Sequence, residues 1–217
     1  RAFAVDHDLY IVAKIVGTET SEVKAVIAKG RLESDLAPTI DQLVKKLADG
    51  LEQWTPVLLP KGEALQTVTR KLRRQLADRA IPAVAVLVSE SHARTRLADP
   101  AAATEIKKVL KEVGFQVLEE DAAALEKWTQ DVTGAGTDLV ITGVGVSEFG
   151  AQFGGLMSCA ARLEVQARWR SSGKVIAIER TTRRAVDLSE TIAAKTALQA
   201  AGRELALRLA AQIGKEL

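Results

Sequence analysis

DLVITGVGVSEFGAQFGGLMSCAARLEVQARWR, residues 138 to 170, settles the architecture of this chain. Within it Cys159, Ala161, Leu163, Val165, Ala167 and Trp169 alternate with Arg162, Glu164, Gln166, Arg168 and Arg170. A strict period of two places the first set on one face of a strand and the second on the other, as an antiparallel strand with one dry face requires. The glycines at 143, 145, 150, 154 and 155 lie between two such extended runs, so they predict a glycine-rich hairpin whose turn uses positive φ.

Downstream, a third strand leads to a long helix with Ile192, Leu198, Ala201, Leu205, Leu209 and Ile213 in one stripe. Asp187 and Glu190 have the spacing of a capping box at its start. Gly202, inside the helix, costs about 1 kcal/mol relative to Ala, which is better tolerated where another backbone comes close.

Upstream, AVAVLV at 83–88 reads as a central strand covered on both faces. DPAAATEIKKVLKEVGF at 99–115 reads as a helix with Asp99 as cap, Pro100 in the first turn, and Gly114 as the left-handed stop. Its apolar face is Ile106, Val109, Leu110 and Val113, and Phe115–Leu118 forms the next strand. A short helix at Ala122–Gln130 and a loop at 133–137 lead back to Leu139. The predicted fold is α/β: a mixed sheet flanked by helices, β-α-β-α-β followed by a three-stranded meander and a long C-terminal helix.

Before this lies strand (Asp8–Val16), a turn at Thr18–Ser21, strand (Val23–Lys29) and a helix entered at Pro38. Ile40, Leu43, Val44, Leu47 and Leu51 supply its apolar positions. Trp54–Gly62, with two prolines, reads as a connector, and a second helix carries Leu65, Val68, Leu72 and Leu76 on one side. Its other side holds Arg70, Lys71, Arg73 and Arg74, a pattern of a solvated face. The boundaries expected are 1–55 for a first unit and 56–217 for the main domain. DLYIVAKIV at Asp8 and DLVITGVGV at Asp138 begin alike, which fits either two related units or the general resemblance of any meander followed by a helix.

The composition excludes several classes. Net charge is +2 at pH 7, without the strong basic excess of a nucleic-acid binder. One cysteine allows no internal disulfide. No apolar run approaches the ~20 residues that cross a bilayer. The chain begins at Arg1, which reads as a processed or trimmed product.

No catalytic constellation is complete. The glycines fit neither phosphate-loop pattern, since Glu148 stands where a third glycine is needed, and no helix follows. Ser147 resembles a nucleophile elbow, but Phe149 occupies the required glycine position, and a Ser147–His92 pair lacks an evident acid partner and oxyanion site. His7, His92 and Cys159 have no metal-ligand spacing, so neither metal nor cofactor is expected. Cys159 reads as a buried thiol, and Glu119, Glu120 and Asp121 as a helix start. Arg180, Arg183 and Arg184 read as exposed, Trp169 as the end of an apolar face, and Trp54 and Trp128 as possible partner anchors. The candidate interaction surface is Ser147, Glu148, Phe149, Gly154, Gly155 and Trp54.

Residues 141–209, with the strand after Asp138, the glycine loop, the Ser171–Val175 turn, and the helix bearing Lys195, Ala197, Leu198, Ala201 and Gly202, resemble the C-terminal half of CsgG-like domains. Residues 8–51 resemble the end of another such domain, giving a truncated first unit. The family, named for the curli secretion component, includes the FlgT middle domain and the TolB amino-terminal domain. The resemblance implies a non-enzymatic binding or assembly module of the periplasm or outer-membrane-associated cell envelope, part of a larger exported protein. It implies protein partners and a capacity for homo-oligomers. No lipobox cysteine lies near the start and no long alternating segments would build a barrel, so a pore does not follow. The competing expectation is a nucleotide- or nucleic-acid-binding α/β domain.

Overall fold

The computed structural model describes residues 1–17, 20, 22–58, 65–119 and 136–217. The turn at 18–21, the connector after Leu58, the helix expected at 122–130, Trp128 and most of the acidic group at 119–121 lie outside the described residues or at their margin. Contacts divide the chain into two units, Arg1–Gly62 and Glu63–Leu217.

In the first unit β1 (Ala2–Val5), β2 (Asp8–Val16) and β3 (Val23–Arg31) form an antiparallel sheet in that order. The register sets Ile11 opposite Ala28 and Ala13 opposite Val26, on the face that meets α1 (Ala37–Leu58). Gly30 is required there, because a Cβ would come within 2.2 Å of the Thr39 hydroxyl. β1 was not anticipated; it pairs β2 and stacks Phe3 on Tyr10, with ring centroids 5.4 Å apart. The expected connector at Trp54 is instead the last turn of α1, which runs on through Pro56. Thr55 donates its hydroxyl to the Leu51 carbonyl at 2.6 Å in this turn. Ile40, Val44 and Leu51 remain exposed, so only part of the expected apolar face is covered.

The second unit holds the main core. α2 (Leu65–Leu76) precedes β4 (Ala83–His92), a two-residue β5 (Thr95–Arg96), α3 (Ala101–Val113) and β6 (Gln116–Leu118). β7 (Leu139–Phe153), β8 (Leu156–Trp169) and β9 (Val175–Asp187) form the meander, and α4 (Glu190–Glu216) closes the chain. The sheet runs β5-β4-β7-β8-β9, with β6 also paired to β4. β4 is parallel to β6 and β7, whereas β7-β8 and β8-β9 are antiparallel, so the sheet is mixed as expected.

One face of this sheet carries the dry side chains. Cys159, Ala161, Leu163, Val165 and Ala167 are buried, and Trp169 packs half-buried at the core margin. They meet a layer in which Ile106, Val109, Leu110 and Val113 of α3 and Leu198, Leu205, Leu209 and Ile213 of α4 are fully buried. Ile192 departs from the expected stripe and is exposed. α3 and α4 approach closely at Gly202, where an added Cβ would lie 2.7 Å from the Ala102 carbonyl oxygen. The helix therefore accepts a poor helix former in order to pack backbone against backbone.

The helix starts differ from their sequence patterns. Ser189 occupies the N-cap of α4 without a side-chain cap bond, and Asp187 instead accepts the Ser189 amide at 3.2 Å. α3 is capped from another strand. The buried Glu90 carboxylate accepts the amides of Ala101, Ala102 and Ala103 at 2.8, 3.0 and 2.8 Å. Asp99 lies outside that cap and pairs with Lys195 at 2.6 Å. Among the described residues no helix is long and apolar enough to cross a membrane.

Candidate functional site

Two features at the C-terminal ends of β4 and β7 bear on function: a buried polar chain and a projecting hairpin. His92 closes β4 directly opposite Ser147 of β7 in parallel register. The turn that follows holds Ala93 and Arg94 at φ 46° and 70°, left-handed values for residues with a Cβ. It is pinned by the Ala93 amide, which donates to the Ser147 carbonyl at 3.0 Å. This fixes the histidine ring between the strand and the first turn of α4.

His92 Nδ1 lies 3.1 Å from Ser147 Oγ, and Nε2 lies 3.1 Å from Glu190 Oε1. Ser147 also donates to the Ser91 carbonyl at 3.3 Å. Cys159 Sγ donates to the Glu190 carbonyl at 3.4 Å. Burial first, and the nearby Glu190 carboxylate second, raise the Cys159 thiol above the ordinary range. Glu190 is thus the acid partner that sequence reasoning did not find. It stands 98 residues from His92, and no local pattern announces a pairing of that range.

Serine, histidine and carboxylate in series have the order of a hydrolytic triad, but their exposure runs the wrong way. Ser147 is 0% exposed, whereas the side chains of His92 and Glu190 are 16% and 40% exposed. A hydrolase needs the hydroxyl at the substrate and the carboxylate behind the imidazole. Here the hydroxyl is innermost and already engaged by the Ser91 carbonyl. The arrangement suits a tie between β4, β7 and α4: each ring nitrogen has one partner, and the serine oxygen has two.

The hairpin is the other feature. β4 ends opposite Ser147, while β7 continues to Phe153, so residues 148–153 extend beyond their β4 neighbour. At about 3.3 Å per residue this is roughly 20 Å of strand. A register shift between Phe149 and Ala151 marks a bulge at Gly150. Gly154 and Gly155 make the two-residue turn with φ 54° and 89°, the left-handed pair that a tight hairpin demands. Neither glycine has another heavy atom within 4 Å of a would-be Cβ, so the tip is open.

Of the six residues expected at an interaction surface, Glu148, Phe149, Gly154 and Gly155 are exposed at this hairpin, with Phe149 at 48%. Ser147 is buried at its base. Trp54 belongs to the first unit, where it is half-buried over Gly50 at the end of α1 and is not the exposed anchor expected. Among the described residues no group of three or more His, Cys, Asp or Glu side chains is placed to hold a metal ion. The N-terminus of α3, a natural anion site, is filled by Glu90.

No family model matches this chain, and no curated protein matches it. Solved structures do. A hypothetical protein from Chlamydia trachomatis is 14% identical, with 62% of this chain and 98% of that one covered and a TM-score of 0.42. The PelC dodecamer from Paraburkholderia phytofirmans is 20% identical, over 61% and 87% of the two chains, at a TM-score of 0.39. A minor lipoprotein from Acinetobacter baumannii is 15% identical, over 62% and 94%, at 0.35.

Proposed function

We propose that this chain is a non-enzymatic binding and assembly module of the bacterial cell envelope, resembling CsgG-like domains and belonging to a larger exported protein. The observation that carries the non-catalytic part is the inverted exposure of the Ser147–His92–Glu190 chain. The contact part rests on the hairpin that extends past β4 with Phe149 exposed at its bulge. A large exposed side chain on a strand that outruns its β4 neighbour is a means of reaching a partner, and an aromatic ring gives much contact area at little entropic cost. The envelope part rests on the resemblance of residues 141–209, and on that of residues 8–51 to the end of another such domain.

The contact proposed for the hairpin is with a second copy of the chain. Sedimentation velocity over a concentration series, up to about 100 µM where interactions of modest affinity are populated, tests this. Wild-type protein is expected to self-associate and Phe149→Asp to remain monomeric. Hydrolysis of an ester or phosphate panel that Ser147→Ala abolishes would overturn the non-catalytic reading.

A further inference from the structure

The outer edge of β9 is a surface that neither the core nor the hairpin uses. β9 ends the sheet order, and among the described residues no strand pairs with its outer side along Val175–Asp187. Such an edge presents unpaired backbone groups to any extended chain of suitable sequence. What distinguishes this one is the side-chain pattern on the sheet face turned away from α3 and α4.

On that face Arg180, Thr182 and Arg184 follow one another at every second residue of β9, and Arg162 of β8 stands opposite Thr182. Arg162, Arg180, Thr181 and Thr182 line a shallow, open cleft of about 430 Å³. Glu164, opposite Arg180, is hydrogen-bonded to Arg162. The Arg162 hydrogen bond chiefly, with a lesser contribution from the Arg180 charge, holds the Glu164 carboxyl below its usual range. Among the described residues no ion pair engages Arg180 or Arg184, so the carboxylates at hand leave guanidinium charge over. The same face also carries aliphatic side chains in the open: Ile178 is 73% exposed and Val144 56%.

Charge alone on an edge strand would serve to repel other strands. An edge meant only to repel has no use for Ile178, exposed two residues before Arg180. A single-stranded nucleic-acid surface would interleave aromatic rings with the arginines, and among the described residues β9 and the outward positions of β8 from Ala160 to Arg168 carry none. Arginine forks alternating with aliphatic side chains are complementary to an extended polypeptide in which carboxylates alternate with aliphatic residues on one side. Side chains on one side of a strand repeat at about 6.6 Å, the same interval that separates Arg180 from Thr182 and Thr182 from Arg184. Guanidinium groups bind carboxylates through paired hydrogen bonds.

We propose that β9 accepts an acidic, extended segment of a protein partner as an added edge strand, with partner carboxylates set against Arg180, Arg184 and Arg162. The inference rests on the reading of the chain as a binding module, but it uses a surface different from the hairpin tip. Phe149→Asp therefore leaves it unchanged, and the two claims fail separately.

The probe is a fluorescein-labelled peptide of alternating Glu and Ser with Val at every fourth position, followed by anisotropy at low salt. The full chain is expected to bind it, and Arg180→Gln with Arg184→Gln to bind it about tenfold more weakly, a loss of roughly 1.4 kcal/mol. Thr182→Glu, which places a carboxylate between the arginines, should weaken it at least as much. Arg70→Gln with Arg73→Gln removes equal charge from the exposed face of α2 and should leave affinity within about twofold. A peptide N-methylated at alternate amides, which cannot pair with an edge, should fail to bind. The proposal is overturned by equal losses in the α2 variant, by undiminished binding of the N-methylated peptide, by tighter binding of oligouridylate, or by no binding of the peptide.

Discussion

Glu90 does at one position what the sequence assigned to Asp99. Its carboxylate is 2% exposed and accepts the amides of Ala101, Ala102 and Ala103, so it neutralises the positive end of α3 from the neighbouring strand. Replacing it by Ala strands these donors, and Glu90→Ala should lower unfolding free energy by about 3 kcal/mol in urea titration. Glu90→Gln keeps the shape and one acceptor, and should cost less. Cys159 makes a prediction of pH dependence. Burial raises its pKa in the folded state, so the native fold binds this proton more tightly than the unfolded chain does. Its contribution is therefore complete below the unfolded thiol range and is lost as pH rises through the folded value. Native protein should resist alkylation at mildly alkaline pH and react on unfolding; rapid native reaction would contradict the burial. Two residues of the polar chain, Ser147 and His92, are legible in the sequence as residue types. Their partner Glu190 was hidden because a contact between β4 and the first turn of α4 is made only by the fold.

At the scale of elements, period and turn chemistry carried most of the architecture. The alternation from Cys159 to Trp169 and the Gly154-Gly155 turn specify β7 and β8, because side-chain direction and positive φ are local properties. The stripe of α4 was legible for the same reason, apart from Ile192. What local rules missed is what neighbours decide. The two-residue β5 exists through its pairing with β4, and α1 runs through Trp54–Leu58, the first residues of the expected connector. Gly202 gives the sharpest test at this scale. Ala would gain about 1 kcal/mol in helix propensity, but its Cβ would press on the Ala102 carbonyl oxygen at 2.7 Å. Steric displacement of two packed helices costs about 1–3 kcal/mol, so Gly202→Ala should be destabilising in thermal or urea unfolding. A stabilised variant would show that the α3–α4 contact is looser than described. At the hairpin turn, Gly154→Ala combined with Gly155→Ala should cost about 1 kcal/mol per site through positive φ alone, since no neighbour is near.

For the whole molecule, the contacts of each unit differ in kind. The larger unit, Glu63–Leu217, contains the continuous core from Leu76 to Ile213. The smaller, Arg1–Gly62, leaves Phe3, Val5, Ile27, Ile40, Val44 and Leu51 exposed around one sheet and one helix. Residues 63–217 alone are therefore expected to unfold in one cooperative calorimetric transition, and absence of that transition would join the two units into a single folding domain. The proposed role belongs to this scale as well: a scaffold with a sealed Ser147 and an outward hairpin. Sedimentation velocity of the full chain beside Phe149→Asp tests that claim most directly. The account predicts concentration-dependent association for the first and a monomer for the second; the same monomeric mass for both at every concentration would contradict it.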